Sequence, residues 1–160
     1  MIWKRFLAFL IDYFILVIYG TLLFGLSTFL LESDLHFGPL KGQLIGLITM
    51  TIPVFLYFYL LESGKSHATV GKRLLKLRVV GENANYFKRN LLKFIPWEIA
   101  HTGVHWVVYY SDNSMNVPAW NWIFLVLPQI IVFGYMISIL AFKGKSSIYD
   151  KMAKTSVQNS

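Results

Sequence analysis

Four stretches of this chain are almost wholly apolar, and the polar residues are gathered between and after them. The first runs from Phe6 to Leu31 with Asp12 as its single charge. The second, Leu44 to Leu61, and the fourth, Trp120 to Phe142, carry none. A helix needs about 20 mostly apolar residues to cross a bilayer core of about 30 Å, so each of the three predicts a transmembrane helix. Pro128 removes a backbone donor inside the fourth and predicts a kink there. The third stretch, about Phe94 to Tyr110, is shorter and contains Glu98, His101 and His105. It reads as a fourth span, with a re-entrant or interfacial course as the alternative.

The basic residues orient this arrangement, because Lys and Arg flanking a span are retained in the cytoplasm. Lys4 and Arg5 precede the first span. Lys65, Lys72, Arg73, Lys76, Arg78, Lys88, Arg89 and Lys93 lie between the second and third, and Lys143, Lys145, Lys151 and Lys154 follow the fourth. With four spans, these fourteen of the fifteen basic residues share one side, and only Lys41 lies on the other, with Glu32, Asp34 and Asp112. Without the third span, the basic loop and the basic tail would face opposite compartments. Trp3, Tyr109, Tyr110, Trp120 and Trp122 cluster at span ends, where headgroup depth suits them. The expectation is a single all-α domain over residues 1–160, a polytopic bundle of four transmembrane helices in the cell membrane. Both termini, the loop at 62–93 and the tail at 143–160 are then cytoplasmic.

Composition agrees with this picture: 56% of residues are hydrophobic, yet the formal charge is +7, a pairing that requires apolar and basic segments to be segregated. There is no cysteine, which excludes disulfides, thiolate metal sites and cysteine nucleophiles. The first apolar run is too long for a signal peptide and reads as a retained span.

The loop is basic and amphipathic rather than disordered in pattern. From Thr69 to Val80, Val70, Leu74 and Leu77 share a helical face, while Leu75, Leu77 and Val79 alternate as a strand would, so periodicity leaves helix and strand both open. Asn85 is a candidate helix cap for Tyr86 to Lys93, a stretch that would run along the membrane surface into the third span. Lys72, Arg73, Arg78, Lys88 and Arg89 are candidates for binding anionic lipid headgroups or another anionic ligand. The plainer account is that they hold the loop inside. The basic residues alternate with leucine and valine rather than with stacking aromatics, which argues against nucleic acid.

Three separated pieces resemble the RDD family of small bacterial membrane proteins. Arg5 followed by Asp12 inside the first span is similar to the family's opening. Thr69-x-Gly71-Lys72-Arg73-Leu-Leu-x-Leu-Arg78-Val79 and Arg89-Asn90-Leu-Leu are similar to its loop, and Ser147-Ile-Tyr-Asp150-Lys-x-Ala-x-Thr155-x-Val157 is similar to its terminal motif. Val70 stands where members often have proline, and Lys76 where they often have glycine. The resemblance implies a helical membrane protein and, for function, transport of ions or small solutes, including sodium/proton exchange. Some members carry a segment similar to Pro96-Trp-Glu-x-Ala-His101.

Asp12 is the most informative residue. A carboxylate inside a span faces the bundle interior or an aqueous cavity and needs a partner. Arg5 is seven residues away, about 10 Å of helical rise, on the same face. Asp12 thus reads either as a cation or proton site poised by Arg5, or as a helix fastener paired with the loop or with His101. Asp150, a candidate for ion or proton handling together with Asp12 and Arg5, reads from its surroundings as part of a helix start; the alternative is a contact to Arg5, Lys72 or Arg73 that closes the cytoplasmic face. Glu98, His101 and His105 fall at i, i+3 and i+7 on one stripe, a spacing suited to a divalent metal ion or to protons; its alternative is a polar stripe bonded to Asp12, Asn121 or backbone. His36 and His67 read as solvated loop residues. No nucleophile-base pair or hydrolase motif is present, so an enzyme is not expected. Two functions remain: a transporter of a cation or small solute, proton-coupled and homo-oligomeric because four helices make a thin pathway, or a non-transporting protein that binds a partner, lipid or toxic peptide.

Overall fold

The computed structural model describes residues 1–30 and 38–160; Glu32, Asp34, His36 and the expected end of the first span at Leu31 lie outside them. In chain order, α1 (Ile2–Leu30) is followed by α2 (Pro39–Gly46), a π-helical turn at Leu47–Thr51 and α3 (Ile52–Ser63), which together form one helical run. Then come α4 (Val70–Leu74), β1 (Leu77–Val80), α5 (Tyr86–Asp112), α6 (Asn121–Ala141), α7 (Ile148–Met152) and β2 (Ser156–Asn159). Among the described residues, three segments are long and apolar enough to cross a membrane: Ile2–Phe29, Pro39–Ser63 and Asn121–Ala141. α5 has the length, at 27 residues, but is not among them. Glu98, His101 and His105 interrupt its apolar run.

Burial is inverted relative to a water-soluble fold. Phe14, Phe24, Phe29, Ile130, Phe133 and Ile137 are all largely exposed, whereas Arg5, Asp12, Glu62, Arg89, Asn90, Asn121 and Asp150 are buried. In lipid an outward phenylalanine is at home, and a polar group must find its partner inside the bundle. Two prolines illustrate the rule. Pro53 has no N–H for the carbonyl of Thr49, four residues earlier, and Tyr19 Oη on α1 donates to that oxygen at 2.5 Å. Pro96 leaves the carbonyl of Leu92 equally bare, and Tyr135 Oη on α6 donates to it at 3.0 Å. Each proline thus fastens its helix to a neighbour through a tyrosine hydroxyl.

The basic loop and the tail fold together, and here the all-α expectation needs correcting. β1 and β2 form a two-stranded antiparallel sheet, with Leu77 opposite Asn159 and Val80 opposite Ser156. The ambiguous stretch from Thr69 to Val80 uses both of its periodicities in turn, first as α4 and then as β1. The switch occurs at Lys76, whose φ is +54°. Leu77, Val79 and Val157 bury the sheet's inner face against Ala8 of α1, with Met1, Leu75 and Tyr86 around them. As expected, Asn85 caps α5 by accepting from the Lys88 N–H at 2.8 Å, and the helix then runs unbroken through Pro96.

Lys76 occupies the left-handed region that disfavours a Cβ. Lys76→Gly is therefore expected to raise stability by about 0.5–1 kcal/mol, visible as a higher thermal midpoint in detergent. A fall would mean that the lysine side chain supports the turn in a way its backbone does not reveal.

Candidate functional site

The polar interior at the basic end comprises two clusters. In the first, Asp12 is 1% exposed and accepts from three neutral donors. Tyr57 Oη and the Gly71 N–H approach Oδ1 at 2.8 and 2.9 Å, and Thr69 Oγ1 approaches Oδ2 at 2.6 Å. The donors come from α3 and from the start of α4, so one carboxylate ties α1 to both. Gly71 makes this approach possible: a Cβ there would lie 2.1 Å from the Ala8 carbonyl oxygen. Arg5 does not reach Asp12, and among the described residues no ion pair involves it. Of the partners expected for Asp12, the loop is the one the structure supplies.

The second cluster is a chain of buried ion pairs. Arg5 Nη2 donates to Asp150 Oδ2 at 2.5 Å and to Tyr149 Oη at 3.1 Å. Arg89 Nε donates to Asp150 Oδ1 at 2.7 Å, and its Nη1 donates to Glu62. Glu62, fully buried, also meets Lys72 Nζ at 3.0 Å, Lys93 Nζ at 3.4 Å and Asn90 Nδ2 at 3.0 Å. α1, α3, α4, α5 and α7 are thereby linked through two carboxylates. Asp150 is at once the N3 residue of a capping box with Ser147, which starts α7, and the partner of two arginines. Both readings of Asp150 thus hold together, with Arg5 as the anticipated contact and Arg89 as an unanticipated one.

Burial pushes the Asp150 carboxyl up, but Arg89, Arg5 and the Ser147 hydroxyl outweigh it and hold the group below the usual carboxylate range. Burial likewise disfavours the charged Arg89, yet Glu62 and Asp150 raise its pKa, so the guanidinium stays ionised. A depressed carboxylate contributes stability that is complete above its ordinary value and lost as pH falls through the folded one. Acidification below about pH 4 is therefore expected to release the tail, seen as rising protease cleavage after α7. In Asp150→Asn, cleavage should be high and nearly independent of pH across that range. A tail that stays as protected under acid strong enough to protonate every carboxylate as it is at neutral pH would refute this linkage.

The expected basic lipid site is divided. Arg73, Arg78 and Lys88 are exposed, with Arg73 Nε donating to the Ala68 carbonyl at 3.1 Å. Lys72 and Arg89 are instead turned inward onto Glu62, and Arg89 also onto Asp150, so they do not form a headgroup surface. His67 is also not simply solvated: its Nδ1 lies 3.1 Å from the Glu62 carbonyl and its ring stacks on Tyr86.

The stripe on α5 does not converge either. Glu98 turns toward the second helical run, where the Thr51 hydroxyl and Gln43 Nε2, the latter at 2.7 Å, donate to it. His101 Nδ1 faces the Trp97 carbonyl at 3.2 Å, and His105 fits the notch left by Gly42 and Gly46. The two imidazole centroids are 6.4 Å apart, and among the described residues no group of three His, Asp or Glu side chains is placed to hold a metal. The expected metal stripe is thus three separately engaged side chains.

Glu62 and Tyr57 are site residues that the sequence did not single out, and Thr69, Asn90 and Lys93 stood in it only as motif or charge-pattern residues without an assigned role.

No curated protein and no solved structure matches the chain. The RDD family profile matches residues 1–154, which takes in Arg5, Asp12, the basic loop and Asp150 and ends just before β2. By that match over nearly its whole length, this membrane-type helical protein belongs to the RDD family.

Proposed function

We propose that this protein is a four-span carrier of the cell membrane that moves a cation or small solute in exchange for protons, with Asp12 as its proton-binding carboxylate. The observation that carries this reading is the setting of Asp12: buried inside a span, held by three neutral donors, and in none of the described ion pairs. A hydroxyl both donates and accepts, so Thr69 can reverse its role and accept from a protonated Oδ2 with the same heavy atoms in place. Gain and loss of a proton then leave the cluster assembled, as a repeating cycle requires.

The pairing of β1 with β2, and of Arg5 with Asp150, supports the crossing by α5. These contacts gather the N-terminus, loop and tail at one end, which supports an even number of crossings between loop and tail, with α5 joining α6. The positive-inside rule puts that end in the cytoplasm. Four helices leave a narrow pathway, and a homo-oligomer would complete it.

The test is exchange in vesicles loaded with a pH-sensitive dye. Adding sodium or potassium outside should change lumenal pH, and Asp12→Asn should reduce the rate per folded molecule at least tenfold. An unchanged rate would remove Asp12 from the mechanism. Exposed Arg73, Arg78 and Lys88 favour the second reading, a non-transporting protein that docks an anionic lipid or partner. Under it, replacing those three with glutamine abolishes vesicle binding by the detergent-purified protein, and no exchange is found.

A further inference from the structure

Away from Asp12, a second carboxylate, half-buried between α5 and the second helical run, is met by neutral groups. Glu98 on α5 accepts from the Thr51 hydroxyl on one oxygen and from Gln43 Nε2 on the other. The amide of Gln43 is only half satisfied: its Oε1 is buried and, among the described residues, has no hydrogen-bond partner. A buried acceptor left bare costs about 1–3 kcal/mol, and here it lies beside a negative charge, where a positive group would answer both. Among the described residues, no ion pair supplies one to Glu98.

We infer that Glu98, Gln43 and Thr51 form a binding site for an alkali cation of the sodium class. The donor set is carboxylate, amide carbonyl and hydroxyl, all hard oxygens, which suits such an ion rather than a transition metal that prefers imidazole. One carboxylate balances one charge, which favours a monovalent ion over a divalent one. Binding asks only that the Thr51 hydroxyl rotate to turn a lone pair toward an ion lodged between Glu98 and the bare Gln43 Oε1. Thr51 precedes Tyr57, the Asp12 partner, by six residues, about 9 Å along the helix. The two carboxylates thus lie at different depths beside the same helical run. This inference rests on the exchange reading for its purpose, giving the proton to Asp12 and the cation to Glu98, but the site can be tested without transport.

The experiment is carbodiimide labelling of the purified protein in nanodiscs, followed residue by residue by mass spectrometry, in sodium chloride and in choline chloride at equal ionic strength. Sodium should slow labelling of Glu98 at least fivefold and saturably. Equilibrium binding of radioactive sodium to the same preparation should fall at least tenfold in Glu98→Gln and in Gln43→Leu and persist in Asp12→Asn. Labelling of Glu98 indifferent to sodium, or sodium binding retained in a folded Glu98→Gln, would overturn the site. Protection of Glu98 without any exchange in vesicles would leave the site standing and remove the exchange reading. Exchange intact with Glu98 unprotected would do the reverse.

Discussion

Arg89→Met is expected to cost the folded protein about 3–5 kcal/mol, because it removes the one cation shared by two buried carboxylates. Arg89 is 1% exposed and bridges Glu62 and Asp150, each of which is fully buried. Methionine fills similar volume, so the loss is electrostatic rather than a cavity. Asp150 keeps Arg5, and Glu62 keeps Lys72 and the more distant Lys93, which limits the damage below that of two isolated charges. The measurement is the thermal midpoint in mild detergent together with protease cleavage of the tail. Arg89→Lys should recover only part of the loss, since an ammonium on a flexible stem does not present the guanidinium's fork to two carboxylates at once. A loss under about 1 kcal/mol for Arg89→Met would mean that the ion chain adds little to the fold, as exposed pairs do.

Gly71→Ala should be comparably damaging through sterics. The new methyl would lie 2.1 Å from the Ala8 carbonyl oxygen and 3.1 Å from the Asp12 carboxyl carbon, and backbone oxygen cannot rotate away as a side-chain tip can. α4 would have to withdraw from α1. That movement breaks the Gly71 N–H contact to Asp12 and weakens that of Thr69, both bonds to a carboxylate. Each such bond is worth about 1.5–3 kcal/mol, so a total loss of at least about 3 kcal/mol is expected. Both stability and exchange should suffer. Exchange lost with the thermal midpoint unmoved would show that α4 shifts freely and that Gly71 serves only the chemistry.

The parts of this fold that depend on one helix at a time were legible in the sequence. The apolar runs placed α1, the run ending in α3, and α6, and Asn85 marked the start of α5. The parts that depend on two distant segments were not. β2 is four residues long and has no strand character without β1 beside it. Glu62 reads as an ordinary acid at the end of a span until Arg89, Lys72 and Lys93 are folded over it. The i, i+3, i+7 spacing on α5 correctly put Glu98, His101 and His105 near one another along the helix. It did not reveal that Thr51 and Gln43 take the carboxylate and that Gly42 leaves a notch for the second imidazole. For Asp12, two helical turns from Arg5 proved too far once Asp150 offered the guanidinium a bond at 2.5 Å.

The same geometry separates what Asp12 and Asp150 do. Asp150 balances two arginines and belongs to the fold, whereas Asp12, among the described residues, accepts from neutral donors and is in no ion pair, so it can change charge without leaving a paired cation behind. The measurement closest to this claim is cation-driven proton movement in vesicles carrying equal amounts of folded wild type, Asp12→Asn and Asp12→Glu. Exchange is expected in the wild type, with its loss in Asp12→Asn and partial recovery in Asp12→Glu, and with the β1–β2 end protected from protease in all three. Exchange at the wild-type rate in Asp12→Asn, or no exchange by the folded wild type, would contradict this claim.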